Sequence, residues 1–348
     1  MARSSRKPKP ISLALQGGGA HGAFTWGVLE RLSECETLEV KAITATSAGA
    51  MNAVAYLSGL QLNGRQGARD TLEAFWKEVS RQGAPLDALR PGAFGSEMLS
   101  NGPFSAWTPH GFATAMASFL SPYDFNPFDI NPLKQAVEDV IDFDAVRKSG
   151  VQLFVAATNV ETGKVRVFTG DEVTVDAIMA SACLPQTFKA VEIDDVPYWD
   201  GGYLGNPSLF PLFYANAPKD VVLVTLNPLE RQGTPRNAGA IQDRLNEITF
   251  NAALLGELRA IAFVQKLWKQ NWLTKAMQNR YQNPNIHAIR GGESLRDLRL
   301  ETKYDTSWPF LCELRDKGRD YADHWLEDCH DMIGKASSLD IHETFLES

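Results

Sequence analysis

Two short segments of this 348-residue chain carry side chains suited to chemistry: a serine among small residues, and an aspartate followed by two glycines. Ser47 stands in Ala45-Thr46-Ser47-Ala48-Gly49, between the apolar run Val40 to Ala45 and the helix-like stretch Ala50 to Leu60. A strand that turns abruptly into a helix strains the backbone at its apex and pushes an apex hydroxyl out of the sheet edge. The positions two before and two after the apex, Ala45 and Gly49, must then be almost free of side chain, because strand and helix cross there. A serine that merely caps a helix fits the same five residues, so the context has to decide.

Upstream, Ile11 to Gln16 reads as a strand that runs directly into Gly17-Gly18-Gly19-Ala20-His21-Gly22, ahead of a helix over Ala23 to Leu32. Such a loop is nearly bare backbone, and its N–H groups, with the positive end of a helix behind them, suit an anion. Two guests fit: a nucleotide phosphate, or the oxyanion formed when a serine attacks an ester. Gly17, Gly19 and Gly22 satisfy G-x-G-x-x-G, but the acidic residue a dinucleotide site needs at the end of the second strand is replaced by the elbow. No Gly-Lys-Ser/Thr follows the loop either.

A serine nucleophile requires a base. Histidine, with its pKa of ~6.5, suits neutral proton transfer better than aspartate at ~3.9. Of the six histidines, His21, His110, His287, His324, His330 and His342, none stands beside a turn signal of its own; His287 falls in a late strand, Asn285 to Ile289. Asp200 does have such a setting. Val191 to Trp199 reads as a small hairpin turning at Asp194-Asp195, which delivers Asp200 into Gly201-Gly202.

Together these pieces resemble the patatin-like phospholipase family: a glycine-rich loop after the first strand, a G-x-S-x-G elbow, and a later D-G-G or D-G-A. Ala180-Ser181-Ala182-Cys183-Leu184-Pro185-Gln186-Thr187-Phe188 is similar to that family's A-S-x-x-x-P-x-x-F segment. The similarity extends over Ile11 to Val224. It implies a serine lipid acyl hydrolase of the phospholipase A or lipase-esterase type, with Ser47 as nucleophile and Asp200 as general base and acid. The N–H groups of Gly17, Gly18, Gly19 and Ala48 would form the oxyanion hole, with Gly22, Gly49, Gly201 and Gly202 completing the motifs. The resemblance also implies a calcium-independent enzyme without metal or cofactor, acting on a lipid or other acyl ester. Two residues depart from the family pattern. His21 stands where Arg or Lys is usual, which turns a fixed charge into one that depends on pH, and Ala45 stands where glycine is usual. Two other readings remain: a Ser47-Asp200-His287 triad of the α/β-hydrolase kind, and a non-catalytic lipid- or nucleotide-binding protein.

The elements that would position these residues are strands at Ile11 to Gln16, Val40 to Ala45, Val151 to Ala157, Val221 to Leu226 and Ile286 to Ile289, alternating with helical stretches. That pattern predicts an α/β three-layer sandwich with a mostly parallel sheet, and hairpins at Lys164 to Thr169 and around Asp194. We divide the chain into a basic leader over residues 1–10, a catalytic region over 11–235 and a mostly helical C-terminal part over 236–348 packed on it. Residues 81–132, rich in Gly, Pro and aromatics, are expected to form either a cap over an acyl pocket or a surface excursion. In the C-terminal part the row Ile241, Leu245, Ile248, Ala252 and Leu255 is expected to pack on the sheet, with a membrane- or dimer-facing helix as the alternative. Trp308 to Met332 alternates charges and is expected to be a solvated outer face.

A formal charge of -8, from 34 basic and 42 acidic residues, argues against nucleic acid as a partner. The run Ile11 to Leu15 is too short for the core of a signal peptide, and no stretch approaches the ~18 apolar residues of a membrane span. Cys35, Cys183, Cys312 and Cys329 show no pairing rhythm. These features point to a cytoplasmic protein that touches membranes peripherally if at all.

Overall fold

The computed structural model describes residues 7–87, 121–126, 129–280, 283–296, 298 and 300–347. Its frame is an eight-stranded sheet: β1 (Lys9–Leu15), β2 (Leu38–Ala45), β3 (Gln152–Asn159), β4 (Lys164–Thr169), β5 (Val191–Ile193), β6 (Val196–Asp200), β7 (Asp220–Thr225) and β8 (Asn285–Arg290). The strand order is β5-β6-β3-β2-β1-β7-β8, with β4 also paired to β3. The five strands from β3 to β8 in that order run parallel, whereas β4, β5 and β6 join by antiparallel pairing. Parallel strands covered on both faces read as continuous apolar runs, and Ile11 to Leu15 and all of β7 are buried accordingly.

Alternate residues of β1 enter different layers. Leu13 and Leu15 pack with α1 (Gly22–Glu34), α2 (Ala48–Asp87) and the C-terminal helix that covers α1. Ala14 faces the other side, with Leu254, Leu258 and Ile261 of a long later helix. The molecule is thus the three-layer α/β arrangement expected. The α2 segment is broken at Asn63 and Gly64, where the backbone leaves the helical region.

Further helices used below are α3 (Pro132–Val140), α4 (Phe143–Lys148), α5 (Val175–Ser181), α6 (Ala238–Lys269) and α7 (Trp308–Cys329). Two expectations need correction here. The first concerns α7, which is not simply a solvated face: Leu311, Leu314, Gly318, Ala322 and Trp325 form a buried stripe against α1. A Cβ on Gly318 would lie 2.0 Å from the Phe24 carbonyl oxygen, so the two helices meet backbone to backbone. Arg319 ties them further, to Glu30 at 3.2 Å and Glu34 at 3.0 Å. Charge alternation hid this stripe because long polar side chains flank it.

The second correction concerns α6. Ile241, Leu245 and Ile248 are exposed, and the buried stripe runs through Glu247, Asn251, Leu254, Leu258 and Ile261. The apolar row chosen from the sequence was out of phase because two polar residues, Glu247 and Asn251, face inward. Arg231 at 2.7 Å and Arg244 at 3.1 Å neutralise Glu247, and Asn251 belongs to the network described below. Of the segment 81–132, residues 88–120 and 127–128 lie outside the described residues, and the question of a cap lies there with them. Among the described residues, no helix is long and apolar enough to cross a membrane.

Candidate active site

The turn from β2 into α2 is an elbow. Ser47 has φ +54°, the left-handed region that β-carbon sterics disfavour, and it is followed at once by the first helical residue, Ala48. The helix crosses so close to β1 that a Cβ on Gly49 would fall 2.4 Å from the Leu15 carbonyl oxygen. The Ala45 methyl is buried within the sheet, and the elbow closes around it. A support that sequence reasoning had only as part of a motif now has a role. The Ser181 hydroxyl accepts the Ser47 N–H at 2.9 Å and donates to the Ala156 carbonyl at 2.7 Å, pinning the strained residue from α5. Ser181→Ala would leave both buried backbone groups unpaired. We expect it to lower stability by about 2–3 kcal/mol in urea unfolding, with slower ester turnover.

The glycine loop is held by four buried amide side chains that the sequence analysis did not single out. Gln16 Oε1 accepts from the N–H groups of Leu226 (2.6 Å) and Asn227 (2.9 Å), while its Nε2 donates to Asn251 Oδ1 (2.9 Å) and the Asn206 carbonyl (3.3 Å). Asn227 Nδ2 donates to the Gly17 carbonyl at 3.1 Å. The Gly17 N–H donates to Asn206 Oδ1 at 2.7 Å. That last bond corrects an expectation: with its N–H engaged inside the network, Gly17 is an anchor of the loop and does not serve an oxyanion. Gly18 and Gly19 line the cavity beside Ser47, as does Ala48, whose N–H is among those a helix start leaves without an intrahelical partner. These amides are scattered over 236 positions of the chain, from Gln16 to Asn251, and no spacing rule connects them. Gln16 and Asn227 do share one signal, a polar amide just past a strand end.

Asp200 ends β6. The β5–β6 hairpin that carries it turns at Asp194 and Asp195, both at positive φ, as a two-residue turn of the favoured hand requires. The register explains why the aspartate meets the elbow. Val155 pairs with Ala45, and Ala157, two residues on, pairs with Asp200, so the carboxylate lies level with Ser47 along the strands. The side chain is buried, and Gly202 N–H donates to its Oδ1 at 2.6 Å. Burial pushes the Asp200 pKa up to about 7, with Gly202 N–H, the Ser47 hydroxyl and the charge of Lys303 holding it from going higher. Gly201 and Gly202 are needed sterically. A Cβ on Gly201 would fall 2.1 Å from the Ala156 carbonyl oxygen, and one on Gly202 would fall 2.4 Å from the Phe250 ring.

Ser47 and Asp200 open into one cavity of about 1020 Å³ lined largely by apolar side chains, among them Met51, Phe75, Trp76, Leu133, Leu184 and Phe188. The ends of the 81–132 segment, at Gln82 and Ser121, reach this cavity. Lys303, which the sequence did not mark, lines it too. His21 does not act as a pH-dependent cation. Burial, and then the charge of Lys303, push its pKa down to about 3, and its Nε2 pairs with Thr302 Oγ1 at 2.7 Å. It latches the glycine loop to the turn Leu300–Tyr304 as a neutral ring.

His287 stays outside the site. It is fully buried in the middle of β8, where its Nε2 meets Asp220 at 3.2 Å and its Nδ1 meets Ser338 Oγ at 3.0 Å. Three strand spacings separate β8 from β2, about 14 Å. Among the described residues, no group of histidine, cysteine and carboxylate side chains is arranged to hold a metal ion.

The patatin-like phospholipase family model matches residues 13–215, a span that contains the glycine loop, the elbow and Asp200. The chain belongs to the patatin-like phospholipase family. No curated protein sequence matches it significantly. Among solved structures it is similar to VipD from Legionella pneumophila, at 14% identity and a TM-score of 0.37 over 97% of this chain and 73% of that one. It is also similar to ExoU bound to SpcU from the type III secretion system of Pseudomonas aeruginosa. That match has 14% identity and a TM-score of 0.28, over 96% of this chain and 66% of that one. As a patatin-like chain it is placed among lipid acyl hydrolases by family.

Proposed function

We propose that this patatin-like protein hydrolyses carboxylic ester bonds of lipids through a Ser47–Asp200 dyad and a covalent acyl-enzyme. The observation that carries the reading is the meeting of a strained serine and a buried, proton-hungry carboxylate in one largely apolar cavity. Asp200 takes the Ser47 proton as Oγ bonds to the ester carbonyl carbon, and the carbonyl electron pair moves onto oxygen beside Gly18, Gly19 and Ala48. Collapse of that intermediate expels the alcohol, which receives the proton from Asp200. Water, deprotonated in turn by Asp200, then releases the acyl group as a carboxylate. The apolar walls suit the acyl chain. Exposed Ile241, Leu245 and Ile248 share α6 with the cavity-lining Gln242, Asn246 and Phe250, which supports peripheral contact with a lipid surface as the way substrate arrives.

The test is labelling with a fluorophosphonate probe, with the modified residue located by peptide mass spectrometry. Modification at Ser47 supports the reading, and a folded protein left unmodified there refutes it. The triad alternative is separated by His287→Ala. We expect this variant to keep most of its turnover on a medium-chain nitrophenyl ester while losing roughly 1–3 kcal/mol of stability, since His287 is a packed partner of Asp220 and Trp325.

A further inference from the structure

Asp200 and Lys303 are the only charged side chains among the described residues that line the cavity. Lys303 lies beyond the family-matched region, on the turn Leu300–Tyr304, yet it is built into the glycine loop. Its carbonyl oxygen would be 2.5 Å from a Cβ on Gly19, so the turn approaches where the loop has no side chain. His21 holds the adjacent Thr302. The Lys303 ammonium donates to Asn227 Oδ1 at 2.6 Å, and Asn227 in turn donates to the Gly17 carbonyl, so the charge is registered to the loop's own backbone. On its other side the ammonium lies 5.9 Å from the centroid of Phe250, the ring that packs against Gly202 beside Asp200. The cation is thereby fixed between the loop and the Asp200 turn.

We propose that Lys303 is the cationic member of the active site, offsetting the negative charge that Ser47 attack places on the carbonyl oxygen and favouring the ionised form of Asp200. It transfers no proton; its charge acts on the oxyanion and on the base. The glycine loop supplies no charge of its own, since His21 is neutral and turned toward Thr302. The turn 300–304 therefore completes a site whose other parts lie within residues 13–215. This inference rests on the Ser47–Asp200 reading.

The alkaline behaviour provides a readout that packing alone does not move. Burial lowers the Lys303 pKa to about 8 against the pull of Glu247, Asp200 and Asp243, with Arg231 adding to the lowering. The other groups facing Asp200 are Tyr203, Tyr304 and Cys183, and burial raises all three above their ordinary values, so they stay protonated in this range. His21, which also faces Lys303, stays neutral. Wild-type kcat should therefore decline as pH rises through about 8, where the lysine loses its charge. In Lys303→Arg, whose guanidinium stays charged, that decline should vanish.

The experiment uses the full chain and a neutral medium-chain nitrophenyl ester, which carries no phosphate, comparing wild type, Lys303→Met and Lys303→Arg across pH. A phospholipid vesicle assay and fluorophosphonate labelling run in parallel. Lys303→Met is expected to lower kcat by about 10²-fold with little change in KM, and to shift the acidic limb to higher pH. The Arg variant is expected to restore most of kcat and extend activity to alkaline pH. Unchanged kcat and pH limbs in Lys303→Met overturn the proposal, as does a loss seen only with the phospholipid, which would make Lys303 a headgroup contact. Should the Met variant misfold, the alkaline limb of the Arg variant decides: if it declines like wild type, the proposal fails. Absence of wild-type labelling at Ser47 would remove the dyad reading and this one with it, whereas labelling with unaffected Lys303 variants removes this one alone.

Discussion

Ser47→Ala is expected to reduce ester turnover by on the order of 10⁴–10⁶-fold, close to the level set by binding alone. The size follows from what the elbow does. Other hydroxyls line the cavity, at Ser121, Thr187 and Thr306, but Ser47 is the one raised at a positive-φ apex beside Asp200 and the Gly18, Gly19 and Ala48 backbone. A hydroxyl elsewhere in the cavity has neither that base nor those donors. The fold should be indifferent to the change: alanine meets the same backbone strain at φ +54°, and the Ser47 N–H bond to Ser181 does not involve the deleted oxygen. Steady-state rates on a nitrophenyl ester, read beside a thermal melt, check both halves. A residual rate within tenfold of wild type would mean that another group attacks the ester.

The catalytic residues were legible because each sits at a strand end whose local pattern is forced by sterics. Gly49 must lack a side chain to let α2 pass the Leu15 carbonyl, and the Asp194-Asp195 turn must adopt positive φ to aim β6. The strands were legible because parallel pairing buries both faces, which leaves unbroken apolar runs in β1 and β7. What was hidden depends on long-range placement. Lys303 is one lysine in a polar stretch until the turn that bears it is seen against Gly19, and Asn206, Asn227 and Asn251 matter only because they converge on Gln16 and Gly17. In α6 the apolar periodicity pointed to the wrong face, since the inward positions Glu247 and Asn251 are polar and satisfied by partners distant in sequence. Gly17 shows the same limit at the scale of one bond. Its place in the loop was readable, but the direction of its N–H was decided by Asn206, nearly 190 residues away.

Asp200→Asn is expected to remove activity and at the same time strengthen the fold. The amide cannot accept the serine proton, so turnover should fall by on the order of 10⁴-fold. Its Oδ1 can still accept the Gly202 N–H, so the local geometry survives. The stability effect follows from the same burial that makes Asp200 a base. Its pKa rises from 3.8 in the unfolded chain to about 7 in the fold. The native state therefore holds its proton more tightly; that contribution to stability is complete below the unfolded value and disappears as pH climbs through about 7. Above that point the protein carries a buried carboxylate at a cost of up to about 4 kcal/mol. The asparagine variant avoids this, so the two proteins should unfold alike near pH 5 and diverge at pH 8, with the variant the more stable. Turnover of the wild type should show the opposite dependence, rising with pH through about 7 as the base becomes available. Urea unfolding of both proteins at the two pH values, set beside the wild-type kcat/KM profile, tests the linkage. Equal stability differences at pH 5 and pH 8 would show that Asp200 is not the group that titrates, and that its burial does not tune it as a base.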